Sequence, residues 1–329
     1  MFRKILVPLD HSLFAEQALG QASAIARASR GELDLTLVHE PLPMGGLGDA
    51  PWHAEQWESE QRYLLSTAEE LSDWTGVPVT TALVQGPLVE SICKRAWEVE
   101  ADLIAMTTHG RTGFSRVWLG SVADGVVRHS RIPVLLLRPF KGTFERFAPR
   151  CLVKHILVPL DGSEFAEDAL LSAAALADSA RASITLLRVV LPVPIASMDA
   201  GLPFVHPNTT SAHDDLATWR AVDHARRSIE QTVRRLNEEG VDSVVAEVVV
   251  AHSAALGIVE FAQRHDVDVI AMSTHGRGVS RLFLGSVADK VIRGSEIPIL
   301  VHRPMSVSAK VSLAESKRVS APLPALVER

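Results

Sequence analysis

Ile5-Leu6-Val7-Pro8-Leu9-Asp10 recurs letter for letter as Ile156-Leu157-Val158-Pro159-Leu160-Asp161. The run is short, apolar and closed by an acid, which suits a strand buried on both faces. Two more blocks recur in the same order. Thr108-His109-Gly110-Arg111 returns as Thr274-His275-Gly276-Arg277, and Leu119-Gly120-Ser121-Val122-Ala123-Asp124 as Leu284-Gly285-Ser286-Val287-Ala288-Asp289. Three blocks in one order mean two copies of one domain. A site that belongs to the domain should therefore appear as a pair.

Outward from the first block, each copy alternates strand and helix, beginning and ending on a strand. In the first copy strands are expected at 5–9, 35–38, 77–84, 102–106 and 133–137. The helix after the first strand is capped by Ser12 and turns Phe14, Ala18, Ala22 and Ile25 to one face. Phe165, Ala169, Ala173 and Leu176 repeat that face. Trp57, Leu64, Ala68 and Leu71 form the buried stripe of the second helix, and Ile92 and Ala96 that of the third, matched by Ile258 and Ala262. Strands that are apolar throughout, alternating with helices, predict an α/β fold. Each copy should be a doubly wound, Rossmann-like domain, a five-stranded parallel sheet with helices on both faces. The last strands, 132–137 and 297–301, carry apolar edges expected to pair with one another or across chains.

The boundaries read as a first domain over 1–140, a linker over 141–152, a second domain over 153–304 and a disordered or loosely docked tail over 305–329. The second copy carries extra residues between the first block and the Thr-His-Gly block, placed most naturally at 191–213. It lacks one residue between Arg277 and Arg281.

The chain has 329 residues, 47% hydrophobic and 22% charged, as in a soluble globular protein. A formal net charge of −6 argues against a dedicated nucleic-acid or anionic-membrane binder. The first strand begins directly after Met1-Phe2-Arg3-Lys4, which predicts no signal peptide, and no stretch reads as a membrane span. Two cysteines, Cys93 as a small core residue and Cys151 in the linker, form neither a disulfide framework nor a metal cluster, which fits a reducing cytoplasm. His53, His129, His206 and His213 lack repeated counterparts and metal-ligand spacing and read as surface residues.

In a doubly wound sheet, ligands bind beyond the carboxyl ends of the strands where the winding reverses. Here those ends carry Asp10 and residues 107–110, with Asp161 and residues 273–276 in the second copy. The segment from Thr108 to Ser121 leaves a strand and enters a helix, and main-chain N–H groups at a helix start attract phosphate. Gly110 and Gly120 let phosphates approach the backbone, Ser121 can donate a hydrogen bond, and Arg111 can add charge. The segment has no Walker-type lysine. Asp10 and Asp161 could accept hydrogen bonds from an adenine amino group or a ribose hydroxyl. The plainer alternatives are that Ser121 only caps a helix and that Asp-x-Ser only shapes a strand-to-helix turn. His109 and His275 read as turn or ligand contacts rather than members of a catalytic triad.

Val-Pro-Leu-Asp, Thr-His-Gly-Arg, Leu-Gly-Ser-Val-Ala-Asp and Ile-Pro before the last strand together resemble the universal stress protein family, in both copies and in its tandem form. The resemblance implies a cytoplasmic stress-response regulator that binds ATP, with or without Mg, and is not an enzyme beyond, at most, weak ATP hydrolysis. Its partners would be an adenine nucleotide, a homodimer mate or an intrachain pseudo-dimer, and a regulatory protein, with neither nucleic acid nor membrane. It carries the ATP loop onto Gly110, Gly120, Ser121 and Val122, with Thr107 in place of the leading glycine. In the second copy it falls on Gly276, Gly285, Ser286 and Val287, with Ser273 in the glycine's place and a spacer one residue shorter. Asp10 and Asp161 match the adenosine-contacting aspartate. The adenine-contacting position after the second strand falls on Glu40 and on Val189, and His109, Arg111, His275 and Arg277 line the same loops. The alternatives are a nucleotide-free dimerisation and docking protein, and an ATPase or adenylyl-transferring enzyme.

Overall fold

In the computed structural model, the residues described are 1–40, 49–109, 119–139, 142, 145–192, 212–274 and 284–303. The expected tail lies outside them. The first half contains β1 (Lys4–Leu9), α1 (Leu13–Ser29), β2 (Glu32–His39), α2 (Asp49–Thr75), β3 (Val79–Gln85), α3 (Leu88–Glu98), β4 (Leu103–Thr107), α4 (Ser121–His129) and β5 (Val134–Leu137). The second repeats it as β6 (His155–Pro159), α5 (Glu164–Ala180), β7 (Ser183–Val190), α6 (Ala212–Glu238), β8 (Val244–Val250), α7 (Ala254–Arg264), β9 (Val269–Ser273), α8 (Ser286–Gly294) and β10 (Ile299–His302).

The strands form one ten-stranded sheet in the order β3-β2-β1-β4-β5-β10-β9-β6-β7-β8. Neighbours within each half are parallel, and the halves meet where β5 and β10 run antiparallel. Leu300 lies opposite Leu135, Ile299 opposite Leu136 and Val301 opposite Val134. All six are buried. The apolar last strands thus pair within one chain, and Arg138 Nη2 spans the seam to donate to the Arg293 carbonyl oxygen at 2.6 Å.

Alternate residues of each strand face opposite layers. In β1, Ile5, Val7 and Leu9 join the core beneath α1, α2, α5 and α6, while Leu6 joins that beneath α3, α4, α7 and α8. Both cores are continuous across the two halves. Phe165 departs from the expected stripe: it is 48% exposed, and its counterpart Phe14 is half-buried. Both stand in the first turn, at the sheet's carboxyl edge, before the helix reaches the sheet. The buried faces are carried by Ala18, Ala22 and Ile25, and by Ala169, Ala173 and Leu176.

Cys93 is half-buried against the second core, and burial raises its thiol pKa. Cys151 is half-buried too, pushed up to about 11 chiefly by burial, and its backbone N–H donates to Gln21 Oε1 at 3.2 Å.

The segment between the halves lies across α1 at Gly20. A β-carbon built there would stand 2.0 Å from the Ala148 carbonyl oxygen. Alanine normally stabilises a helix interior by about 1 kcal/mol over glycine. At this position the sign should reverse. Gly20→Ala should lose about 1–3 kcal/mol in denaturant unfolding, because the crossing backbone must move. A stabilised variant would show that the segment does not cross there.

Candidate functional site

β1 lies between β2 and β4 in the sheet. Leu9 pairs with Leu37 and Leu6 with Ile104, so Asp10, His39 and Thr108 leave the sheet along one edge. The helices after β1 and β4 pack on opposite faces, which opens a crevice between these two strand ends. β6 and β9 reproduce it in the second half.

At the tip of β1, Asp10 Oδ1 accepts hydrogen bonds from Ser12 N at 3.0 Å and Ser12 Oγ at 2.5 Å. Ser12 Oγ in turn accepts from Ala15 N at 3.1 Å and caps α1. Asp161, Ser163 and Ala166 repeat this, at 2.9, 2.5 and 3.2 Å. The Asp-x-Ser turn is therefore structural in both halves, and it fixes the carboxylate at the crevice mouth. The residue inside the turn is left-handed in each case, His11 at φ 65° and Gly162 at φ 80°.

At the exit of β4, Thr108 N donates to the Leu137 carbonyl at 2.8 Å, and Gly120 N donates to the Thr108 carbonyl at 2.8 Å. The second half matches with Thr274 N to His302 O at 2.9 Å and Gly285 N to Thr274 O at 2.7 Å. One hydrogen bond thus ties the two ends of each loop together. A β-carbon at Gly120 would stand 2.8 Å from the Thr108 oxygen, so this closure requires the bare backbone. Thr107 is buried with its hydroxyl donating to the His109 carbonyl at 2.8 Å, and Ser273 is buried as well. The Thr107 hydroxyl is thus turned onto the main chain of its own loop. Thr108 Oγ1 lies 3.0 Å from His109 Nδ1.

α4 and α8 start at Gly120 and Gly285, which have no side chain to cap the first-turn N–H groups. Ser121, Ser286 and Val287 are exposed there and Val122 is half-buried. Gly110, Arg111, His275, Gly276 and Arg277 lie outside the described residues.

The strand register corrects one pairing. Pro8 pairs with Thr36 and Pro159 with Leu187, so Val189 corresponds to Val38 and Glu40 to Leu191. Val189 sits within β7, half-buried, while Glu40 is exposed just past β2. They are not equivalent positions.

Three features were missed from the sequence. Arg188, in place of Leu37, lays its guanidinium against Gly162 and donates from Nη1 to the Leu160 carbonyl at 3.1 Å. Buried His39 places Nδ1 2.6 Å from Glu60 Oε2, and Gln56 Nε2 donates to Glu60 Oε1 at 2.9 Å. His53, expected at the surface, is half-buried with its ring 6.2 Å from that of His39. The His11 ring lies tilted against that of Tyr63, with the centroids 4.1 Å apart. The only signal for Arg188 and His39 was a charged or polar residue inside an apolar run.

Among the described residues no group of three or more His, Cys, Asp or Glu could hold a metal ion. No helix among them is long and apolar enough to cross a membrane.

The sequence profile of the universal stress protein family matches residues 1–138 and 153–303. The chain is 35% identical over 139 residues to a universal stress protein of Thermus aquaticus, covering 42% of this chain and 100% of that one. It is 30% identical over 141 residues to one of Methanocaldococcus jannaschii, covering 42% of this chain and 83% of the relative. The fold matches the crystal structure of a universal stress protein from Archaeoglobus fulgidus with a TM-score of 0.62 and 21% identity, over 91% of this chain and 96% of that one. That last likeness is one of fold.

Proposed function

The chain belongs to the universal stress protein family, and on that premise we propose that it is a cytoplasmic regulator binding one adenine nucleotide, ATP, in each half. The observation that supports this is the duplicated pairing of an aspartate at a strand tip with a glycine-closed loop at the neighbouring one. Phosphates would lie against the first-turn N–H groups of α4 and α8, where the helix dipole favours negative charge. A carboxylate oxygen accepts more than one hydrogen bond. Asp10 and Asp161 can therefore take a ribose hydroxyl or an adenine amino group while still holding their serines. Magnesium would enter with the nucleotide's own phosphates. Nucleotide binding would act by stabilising one conformation over another, and the protein would serve as a regulator and not as an enzyme.

Calorimetric titration with ATP tests this. Asp10→Asn keeps an oxygen for Ser12 but replaces the second acceptor with a donor. It should weaken the first-half site by about 10- to 100-fold and leave the second alone, with Asp161→Asn doing the reverse. The reading fails if the unmodified protein takes up no ATP at millimolar concentration, or if ATP turnover rises sharply with a specific acceptor.

A further inference from the structure

The two strand tips have the same hydrogen bonds but different surroundings. The difference runs unbroken from the first tip to the segment that joins the halves. His11, next to Asp10, occupies a left-handed position that costs a side chain energy. Its ring lies against that of Tyr63 of α2, tilted by 30° with the centroids 4.1 Å apart. Tyr63 Oη donates to Glu16 Oε1 at 2.8 Å. Burial, and after it the bond to Glu16, hold the phenol pKa far above its ordinary value, so Tyr63 stays a donor. Glu16 is 3% exposed and also accepts from Arg146 Nε at 2.7 Å and Nη2 at 3.1 Å. Arg146 Nη2 donates to Thr67 as well, at 3.1 Å, and Nη1 to Glu70 Oε2 at 2.5 Å. Arg146 belongs to neither half: it lies in the joining segment, just before the backbone that crosses Gly20.

The second half keeps the glutamate of this chain but not the residues that join it to the strand tip and to the joining segment. Ala225, Ile229, Thr232 and Leu236 are buried in α6 where Glu60, Leu64, Thr67 and Leu71 are buried in α2, which sets the equivalence of the two helices. By it Ser228 replaces Tyr63 and Arg235 replaces Glu70, while Gly162 replaces His11. Glu167, the counterpart of Glu16, is satisfied inside its own half by Arg235 Nη2 at 2.6 Å. The first half has an acid at that place and takes its arginine from the joining segment.

We propose that Arg146 is a positioning residue for the first-half nucleotide site, acting on Asp10 through Glu16, Tyr63 and His11. Displacement of the joining segment would then change the affinity of one site and not the other. The inference rests on the nucleotide reading for its consequence, but the positioning itself can be read without ligand. In the full chain, the imidazole proton resonances of His11 carry the ring-current shift of Tyr63 and should move in Arg146→Gln and in Tyr63→Leu. With the second site removed by Asp161→Asn, Arg146→Gln should weaken ATP binding about five- to tenfold. In the His11→Gly background the same change should alter affinity less than about twofold. Tyr63→Phe keeps the ring and loses the bond to Glu16, and should fall between these. A His11 resonance indifferent to Arg146→Gln overturns the proposal, as does an affinity loss of the same size with and without His11. A His11 resonance that responds in a protein that takes up no ATP leaves the positioning standing and removes the nucleotide reading.

Discussion

His39→Val alone should cost about 3–5 kcal/mol, and adding Glu60→Ala should recover most of it. His39 and Glu60 are 3% and 4% exposed and 2.6 Å apart, and the His39 ring makes a T-shaped contact with that of Trp57, centroids 5.3 Å apart. Removing one partner leaves the other buried with only part of its hydrogen bonding, since Gln56 alone remains on Glu60. Removing both leaves an apolar pocket, and the protein already contains that solution. Val190 stands at the position of His39 and Ala225 at that of Glu60, both buried in the second half. The alanine leaves a void, so recovery should fall short by about 1–2 kcal/mol. Urea unfolding of the two single variants and the double variant decides the matter. A double variant as unstable as the sum of the singles would mean that the pair contributes through separate contacts.

The second large effect is expected at the seam. Leu300 is 1% exposed, faces Leu135 across the antiparallel junction, and belongs to the core shared by the two halves. Leu300→Asp buries a carboxylate without a partner, a change in the class that exceeds about 4 kcal/mol. Because the core is continuous across β5 and β10, the loss should appear in both halves together. Hydrogen exchange followed by mass spectrometry should show the amides of β1–β2 and of β6–β7 losing protection in the same transition. Exchange confined to β6–β7 would show that the halves are independent units tied only by a linker.

Much of this was legible in the sequence because it was written twice. Repetition exposed the strands, the helix faces, the aspartates and the glycines of the loops. The apolar ends of both copies anticipated the seam. The same preference for what repeats hid what does not. His11, Tyr63 and Arg146 are ordinary residues far apart in the chain, and only packing brings them into line. His39 and Glu60 are likewise separated by the connection from β2 to α2, with Val190 and Ala225 giving no hint of a polar pair. Val189 was matched with Glu40 although the strand runs on to Val190, so that a position inside β7 was set against one just past β2. The pairing of β6 with β7, beside that of β1 with β2, sets Val189 at the position of Val38. Phe165 was placed inside because periodicity reports the face of a helix and not how far along it the sheet extends.

The central claim is that an aspartate tip and a glycine-closed loop together hold one nucleotide, once in each half. Native mass spectrometry of the full chain with ATP counts the bound molecules directly. Two nucleotides on the unmodified chain, one on either single aspartate variant and none on Asp10→Asn/Asp161→Asn is the predicted series. An unmodified chain that carries none, or a double variant that still carries two, contradicts it.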